Sequence, residues 1–241
     1  MIDLHCHYLP VIDDGSQSMA ESLDLARASV ADGITHAVMT PHVHPGRYEN
    51  TRSSVISATD QFRAALVEAG IPLQIFPAGE VRLSSDVIDL LEQNELPFLG
   101  TLHGYRILLL EFPYGQLPVG TEKLARWLMA QKIRPLIAHP ERNKVIMQNV
   151  ENLRPFVDMG CLIQVTAASL LGGFGEVAQE SAGLMLERRW VSVIATDSHN
   201  LLHRPTLMSE ARNWLLNYGG QSLAEDLTFN TPAKILGIVQ S

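Results

Sequence analysis

His5 and His7 close the apolar run that opens the chain, with Cys6 between them. Two imidazoles at that spacing, at a strand end with the second just past the pleat, project into one cavity and form a metal chelate. The event recurs. Apolar runs end in His42, Glu80, Glu111, His139 and Asp197-Ser198-His199. Strand after strand ending in His, Asp or Glu is the pattern of a multinuclear metal site on the rim of a barrel. Asp14 joins the set as a fourth carboxylate. By residue type alone Asp13-Asp14-Gly15 is equally a turn, and the place of Asp14 comes from the resemblance described below.

Five imidazoles and four carboxylates are too many for one ion and suit two or three, with carboxylates bridging. Mixed nitrogen and oxygen donors without thiolate favour Mn²⁺, Fe²⁺ or Zn²⁺ over Ca²⁺ or Mg²⁺. Cys6 alternates away from its neighbours and is expected to face the core. Four converging carboxylates would repel one another unless cations neutralise them. Three divalent ions would leave a cationic pocket able to ionise a bound water near pH 7. A phosphate monoester dianion fits such a pocket. Arg142 follows His139 closely and Arg204 follows His199, and guanidinium groups match phosphate oxygens two at a time.

Taken singly, a His or Glu at a strand end is more often a capped or solvated loop residue. Repetition at the same point of successive units is what argues for ligands. His44, His103 and His203 read as surface or loop histidines, with His44 near enough to His42 to reach a substrate. Arg47 and Arg106 read as surface or salt-bridged. Gly172-Gly173-Phe174-Gly175 follows a strand without G-x-G-x-x-G spacing, so it reads as a flexible lid or plain turn.

The elements that must position these residues alternate. Short apolar strands are expected at Met1–Leu4, Thr35–Met39, Leu73–Ala78, Arg106–Leu110, Pro135–Ala138, Cys161–Val165 and Trp190–Ala195. Between most of them lie amphipathic helical stretches. Ser18-x-x-Glu21 starts the first as a capping box, and Asn50 is expected to cap the second, with Val55, Thr59, Phe62 and Leu66 on one face. A helix over Pro205–Tyr218 is expected to stop at Gly219-Gly220, and Thr231–Leu236 to form a short helix packed on the body. Arg82–His103 has no clear pattern. Seven near-continuous apolar strands alternating with helices indicate a parallel sheet buried on both faces. Only a closed barrel brings so many strand ends to one place, so the expected architecture is a single α/β barrel over residues 1–241.

Composition narrows the function classes. The net charge of −8 comes with no basic block, which speaks against nucleic acid and anionic membrane as partners. Two cysteines form neither a C-x-x-C pair nor a disulfide framework. With no signal-like start and no apolar run near the ~20 residues that span a bilayer, the chain is expected to be soluble and cytoplasmic, without membrane insertion.

These residues resemble the PHP (polymerase and histidinol phosphatase) family, a distorted (β/α)7 TIM-like barrel with a trinuclear metal site. Within it the chain is similar to the bacterial capsule and exopolysaccharide tyrosine-protein phosphatases of the CpsB/CapC/YwqE type. The resemblance rests on Asp3-Leu4-His5-Cys6-His7, Leu9-Pro10, Asp13-Asp14-Gly15, Asp32-Gly33-Ile34, Thr40-Pro41-His42, Gly46, Tyr48-Glu49-Asn50, Gly79-Glu80, Glu111-Phe112, Ala138-His139-Pro140-Glu141-Arg142 and Asp197-Ser198-His199. It implies one ion on His5, His7, Glu80 and Asp197, a second on Glu80, Glu111 and His139, and a third on Asp14, His42 and His199. Arg142 and Arg204 would grip the phosphate. Val11 stands where the family often has Gly, a change expected to matter little, and Val43 stands where a second His often follows His42.

The resulting expectation is a metal-dependent phosphotyrosine phosphatase using three divalent ions, Mn²⁺ first and Fe²⁺ or Zn²⁺ as alternatives. Phosphoester hydrolysis follows from the residues. The phosphotyrosyl protein, the tail of an autophosphorylating bacterial kinase controlling polysaccharide synthesis or export, follows from the resemblance. A cysteine phosphatase is excluded by spacing, since its Cys-x5-Arg loop would need Arg where Ile12 and Ala167 stand. The competing readings are a small-molecule phosphatase of histidinol-phosphatase type, a phosphodiesterase, and an amidohydrolase, whose bridging lysine would have to follow a middle strand. A regulatory module that kept its metal site is a further alternative.

Overall fold

A computed structural model describes residues 1–238. Its strands are β1 (Ile2–Cys6), β2 (His36–Met39), β3 (His42–Val43), β4 (Gln74–Pro77), β5 (Glu80–Arg82), β6 (Gly100–Leu102), β7 (Tyr105–Glu111), β8 (Ile133–Ala138), β9 (Leu162–Thr166) and β10 (Val193–Ala195). The seven expected strands are present as β1, β2, β4, β7, β8, β9 and β10. Of the three additional ones, β6 is a hairpin partner of β7, and β3 and β5 arise because two strands break. Thr40-Pro41 separates β2 from β3, and Ala78-Gly79, after Pro77, separates β4 from β5. Proline has no N–H for the ladder, yet pairing continues across both gaps, from Ala78 N–H to the Met39 carbonyl and from Glu80 N–H to the Pro41 carbonyl. The sheet therefore changes direction there. β1, β2 and β4 pair at one end, and β3 and β5 pass the ladder on to β7, β8, β9 and β10.

Closure comes from β1 meeting β10. Asp197 donates its N–H to the His5 carbonyl at 2.8 Å, and His7 donates to the Ser198 carbonyl at 2.9 Å. Asp3 reinforces the seam, accepting from the Thr196 N–H at 3.0 Å. All pairs are parallel except β6, which returns antiparallel on β7 through His103-Gly104. The stretch without a sequence pattern thus holds β6 and a short helix at Asp86–Glu92.

Parity divides the core. Ile107 and Leu109, Leu136 and Ala138, and Val193 and Ala195 fill the barrel interior with Ile2 and Leu4. Leu108, Leu110, Ile137, Ile163, Val165 and Ile194 face outward into the layer under the helices. The helices meeting that layer include α1 (Met19–Ala31) and α2 (Arg52–Glu68), and Val55, Thr59, Phe62 and Leu66 of α2 are all buried. Thr51 caps α2, not Asn50. The side-chain amide of Asn50 instead donates to the carbonyls of Ile12 and His42, tying two site loops together. The helix expected to stop at Gly219-Gly220 starts at Met208 and does break at Gly220, where the backbone is non-helical (φ +81°), and a second helical stretch follows to Glu225. The helix Thr231–Leu236 sends Ala233 and Ile235 into the barrel interior, closing its floor.

Candidate metal centre

Strand parity alone carries several donors into the barrel mouth. Glu111 continues the inward series Ile107, Leu109, and Asp197 continues Val193, Ala195. Others need the backbone to depart from regularity. Between Asp3 and Cys6 the register of β1 on β2 slips, three residues on β1 spanning two on β2. This bulge turns His5 inward directly after the inward Leu4, and its alternation then puts Cys6 outside and His7 inside. His139 follows the inward Ala138 and would face out. Its left-handed backbone, φ +32°, turns it back toward the mouth. Asp197 is left-handed too, φ +51°. Such conformations cost about 1–3 kcal/mol each and concentrate at functional sites.

Gly15 holds the loop that brings in Asp14. A Cβ there would lie 2.1 Å from the His7 carbonyl oxygen, so only glycine lets the loop lie against β1's end. Val11 in the same loop has φ +60°, a region that suits glycine and penalises a β-branched residue. The replacement of glycine by Val11, expected to matter little, therefore strains this turn.

All nine expected ligands converge. Donor atoms lie within 4.8 Å of one another in four sets: His7, Asp14, His42 and His199; His5, His7 and Glu80; His5, His139 and Asp197; and His42, Glu80 and Glu111. The partition differs in part from the implied one, because Glu111 groups with His42, and His139 with His5 and Asp197. His139 Nε2 nevertheless reaches Glu80 Oε1 at 2.6 Å. Glu80 is the hub, its other oxygen lying 2.8 Å from His42 Nδ1 and 3.4 Å from His5 Nε2.

The donors fit metal ions on two counts. His5 Nε2 and His7 Nε2 face each other at 3.2 Å, and both lie 3.3 Å from Asp197 Oδ1. Ring nitrogens aimed at one point with a carboxylate are the geometry of a shared cation. In addition, Glu80 Oε2, Asp197 Oδ1 and His199 Nε2 are buried without a well-aligned hydrogen bond, although ring nitrogens or a carboxylate lie close by. Such orphans are rare unless an ion completes them. Charge agrees. Burial opposes a charged His5, but Glu80 and Asp197 outweigh it and lift its pKa to about 9. Burial likewise opposes charge at His42, and Glu80 and Asp14 carry it up to about 12. Burial and the Arg142 charge lower His139 to about 4, and burial with the His7 charge does the same to His199.

A second layer orients these ligands, and sequence reading missed it. Asp13 Oδ2 accepts from His7 Nδ1 at 2.7 Å and from the His42 N–H at 3.0 Å. Gln164 Oε1 lies 3.0 Å from His5 Nδ1 and 3.3 Å from the His139 nitrogen. Carboxylates and amides in this position fix the tautomer and ring angle of metal-binding histidines. One signal for Gln164 was legible, a polar residue at an inward position of an apolar strand. Arg82 was also missed, and it pairs with Glu111 at 3.0 Å.

The mouth opens to a cavity of about 300 Å³ whose wall includes Asp14, His44, Arg47, Arg82, Arg142 and Arg204. Arg142 reaches Asp197 Oδ2 at 2.6 Å, and Arg204 contacts the same oxygen. Arg47, read as a surface residue, lies over the Tyr48 ring, and Arg106 lies over Phe98 away from the cavity. His103 and His203 are outside the cavity wall. Both cysteines are buried and free. Burial holds the Cys6 thiol well above its usual range and pushes Cys161 up to about 12.

Known proteins repeat this arrangement of chain and backbone. A family model for capsular polysaccharide synthesis, CpsB/CapC, matches residues 1–237. Tyrosine-protein phosphatase YwqE of Bacillus subtilis (strain 168) is 36% identical over 230 residues, covering 95% of this chain and 89% of YwqE. Tyrosine-protein phosphatase CpsB of Streptococcus pneumoniae is 32% identical over 245 residues, covering 98% of each chain. Among solved structures, one chain from the crystal structures of YwqE from Bacillus subtilis and CpsB from Streptococcus pneumoniae, described as unique metal-dependent tyrosine phosphatases, matches with a TM-score of 0.91 at 34% identity, covering 100% of this chain and 96% of that one. Agreement in sequence along nearly the whole chain, and in backbone along all of it, decides the lineage: the chain belongs to the CpsB/CapC family of capsular polysaccharide synthesis.

Proposed function

We propose that this chain is a metal-dependent protein-tyrosine phosphatase, a single catalytic unit acting in the cytoplasm. Its substrate is phosphotyrosine on an autophosphorylating bacterial kinase that controls capsule or exopolysaccharide production. The observation that carries the reading is the juxtaposition of Arg142 and Arg204 with nine metal-type donors in one mouth. The names and functions of the relatives support it. We assign three divalent ions, Mn²⁺ or else Fe²⁺ or Zn²⁺, to His5, His7, Asp14, His42, Glu80, Glu111, His139, Asp197 and His199.

When bound, the ions supply Lewis-acid neutralisation of the phosphoryl charge and an activated water. The chain does the rest. Glu80 links the donor sets, Asp13 and Gln164 hold His7 and His5 at fixed angles, and Arg142 and Arg204 take the phosphoryl oxygens. A phenol of pKa near 10 is a competent leaving group with modest acid assistance. Two features weigh against the competitors. No thiol reaches the cavity, and none of Lys123, Lys132, Lys144 and Lys234 lines it as an amidohydrolase's bridging lysine would. Among the described residues, no helix is long and apolar enough to cross a membrane.

The test pairs elemental analysis of the purified protein with turnover of a phosphotyrosyl peptide, histidinol phosphate, a phosphodiester and an amide or lactam. Metal-dependent turnover of the peptide, abolished by chelator and indifferent to thiol alkylation, is expected. Activity that survives removal of metal refutes the reading. Preference for one of the other substrates transfers the chain to the corresponding competitor.

A further inference from the structure

Beside the metal mouth lies a second cleft of about 250 Å³, lined by Tyr114, Arg142, Met147, Phe174, Ala178 and Arg204. Arg142, Arg204 and Tyr114 are shared with the metal mouth. Met147, Phe174 and Ala178 are not, and they add a thioether, an aromatic ring and a methyl group beside the Tyr114 ring. Phe174 is carried by Gly172-Gly173-Phe174-Gly175, the segment read from sequence as a lid or turn. It is a turn, with Gly173 donating to the Ala168 carbonyl at 2.8 Å and Gly175 to the Gly172 carbonyl at 3.0 Å. Left-handed glycines at both ends, φ +81° and +87°, set the bend that presents the ring. The Arg142 guanidinium sits 4.6 Å from the Phe174 ring centre. Tyr114, on the loop after β7, also lines the cleft and is 59% exposed although it is a large aromatic.

We infer that this cleft seats the aromatic ring of an aryl phosphate monoester whose phosphoryl end is held by Arg142 and Arg204, and that Tyr114, Met147 and Phe174 thereby select aryl over alkyl esters. The inference rests on the phosphomonoesterase reading and deepens it. Volume permits it, since an apolar cavity of roughly 150 Å³ already accepts a benzene ring. Chemistry favours it, because aromatic edges and faces and a polarisable sulfur are better partners for a phenyl ring than for a short alkyl chain. Because Arg142 lies against the Phe174 ring, a phosphoryl group held by the two arginines has its ester group beside that ring.

The deciding experiment is calorimetric binding of phenylphosphonate and methylphosphonate to the metal-loaded protein, which reads the cleft without reference to turnover. Phenylphosphonate is expected to bind at least tenfold more tightly, about the worth of a buried aromatic contact. In Phe174→Ala and separately in Tyr114→Ala, that preference should shrink toward unity while methylphosphonate affinity stays the same. The two substitutions lie on different loops, so misfolding of one variant leaves the other decisive. Equal wild-type affinities, equal weakening of both ligands in the variants, or failure of both phosphonates to bind would overturn the inference. Selective binding of phenylphosphonate without hydrolysis of any aryl phosphate would refute the proposed function and leave the cleft assignment standing.

Discussion

The two ends of this barrel are built from the same strands and have opposite characters. At the rim, β7 ends in Glu111, β1, β8 and β10 run into His7, His139 and Asp197, and β3 and β5 start at His42 and Glu80, several of these groups having a buried polar atom without a well-formed hydrogen bond. At the floor, Leu99, Leu102, Ala233 and Ile235 pack with Ile2 and Ile107, and the chain's last described helix presses so closely on β6 that a Cβ on Gly100 would lie 2.1 Å from the Ile235 carbonyl oxygen. The rim concentrates buried ion pairs, whose desolvation offsets much of their attraction, and left-handed backbone at His139 and Asp197 with a bulge in β1, which cost stability. The floor buries apolar surface, which is where stability comes from. The difference teaches that ligand placement and fold stability are separable within one set of strands.

The sharpest way to break that comparison is at Glu80, which touches His5, His7, His42 and His139. Glu80→Gln should lower kcat/KM on the order of 10³-fold. Its thermal midpoint in chelator should fall below that of the wild type at neutral pH, because Glu80 is the anion that keeps His5 and His42 charged and paired. A variant that melts no earlier than wild type under chelator would show that these pairs do not hold the rim together. At the floor, Ile235→Ala should cost about 2–5 kcal/mol in urea denaturation, with kcat/KM of the native protein unchanged. Loss of activity from the folded variant would couple the two ends and end the comparison.

Finer predictions concern the supports of the rim. Asp13→Asn keeps the fold but weakens the orientation of His7, so Mn²⁺ affinity by titration calorimetry should fall about 10–100-fold. Unchanged affinity would make Asp13 a loop residue only. The smallest expected effect is at Val11, exposed by 71% and strained at φ +60°. Val11→Asn should raise stability by about 1 kcal/mol, since asparagine tolerates the left-handed region, and should leave turnover alone. A destabilised variant would mean the Val11 side chain contributes packing that its exposure does not suggest.

What was legible in the sequence was legible because it is local. Residue type at the end of an apolar run marked His5, His7, His42, Glu80, Glu111, His139, Asp197 and His199, and alternation of strands and helices implied a closed parallel barrel. Cys6 was placed outside the site by alternation alone, and it lies buried in the outer core. What stayed hidden depends on relations between distant segments. The bulge that turns His5 inward exists only as a register of β1 against β2. Asn50 reads as a helix cap and proves to be a clamp, because the carbonyls it holds, of Ile12 and His42, are brought together by folding. Gln164 carries no metal-type signal, and its role appears only when β9 is laid beside β8 and the barrel brings β1 within reach of its side chain. The aryl cleft joins loops after β7 and β9 to the turn after β8, which are far apart in the chain. The sequence by itself therefore determined which chemistry the rim can perform, since donor identity is a property of single residues. Tertiary structure alone decided how the donors are aimed and what lies beside them, since angles and neighbours belong to pairs of strands.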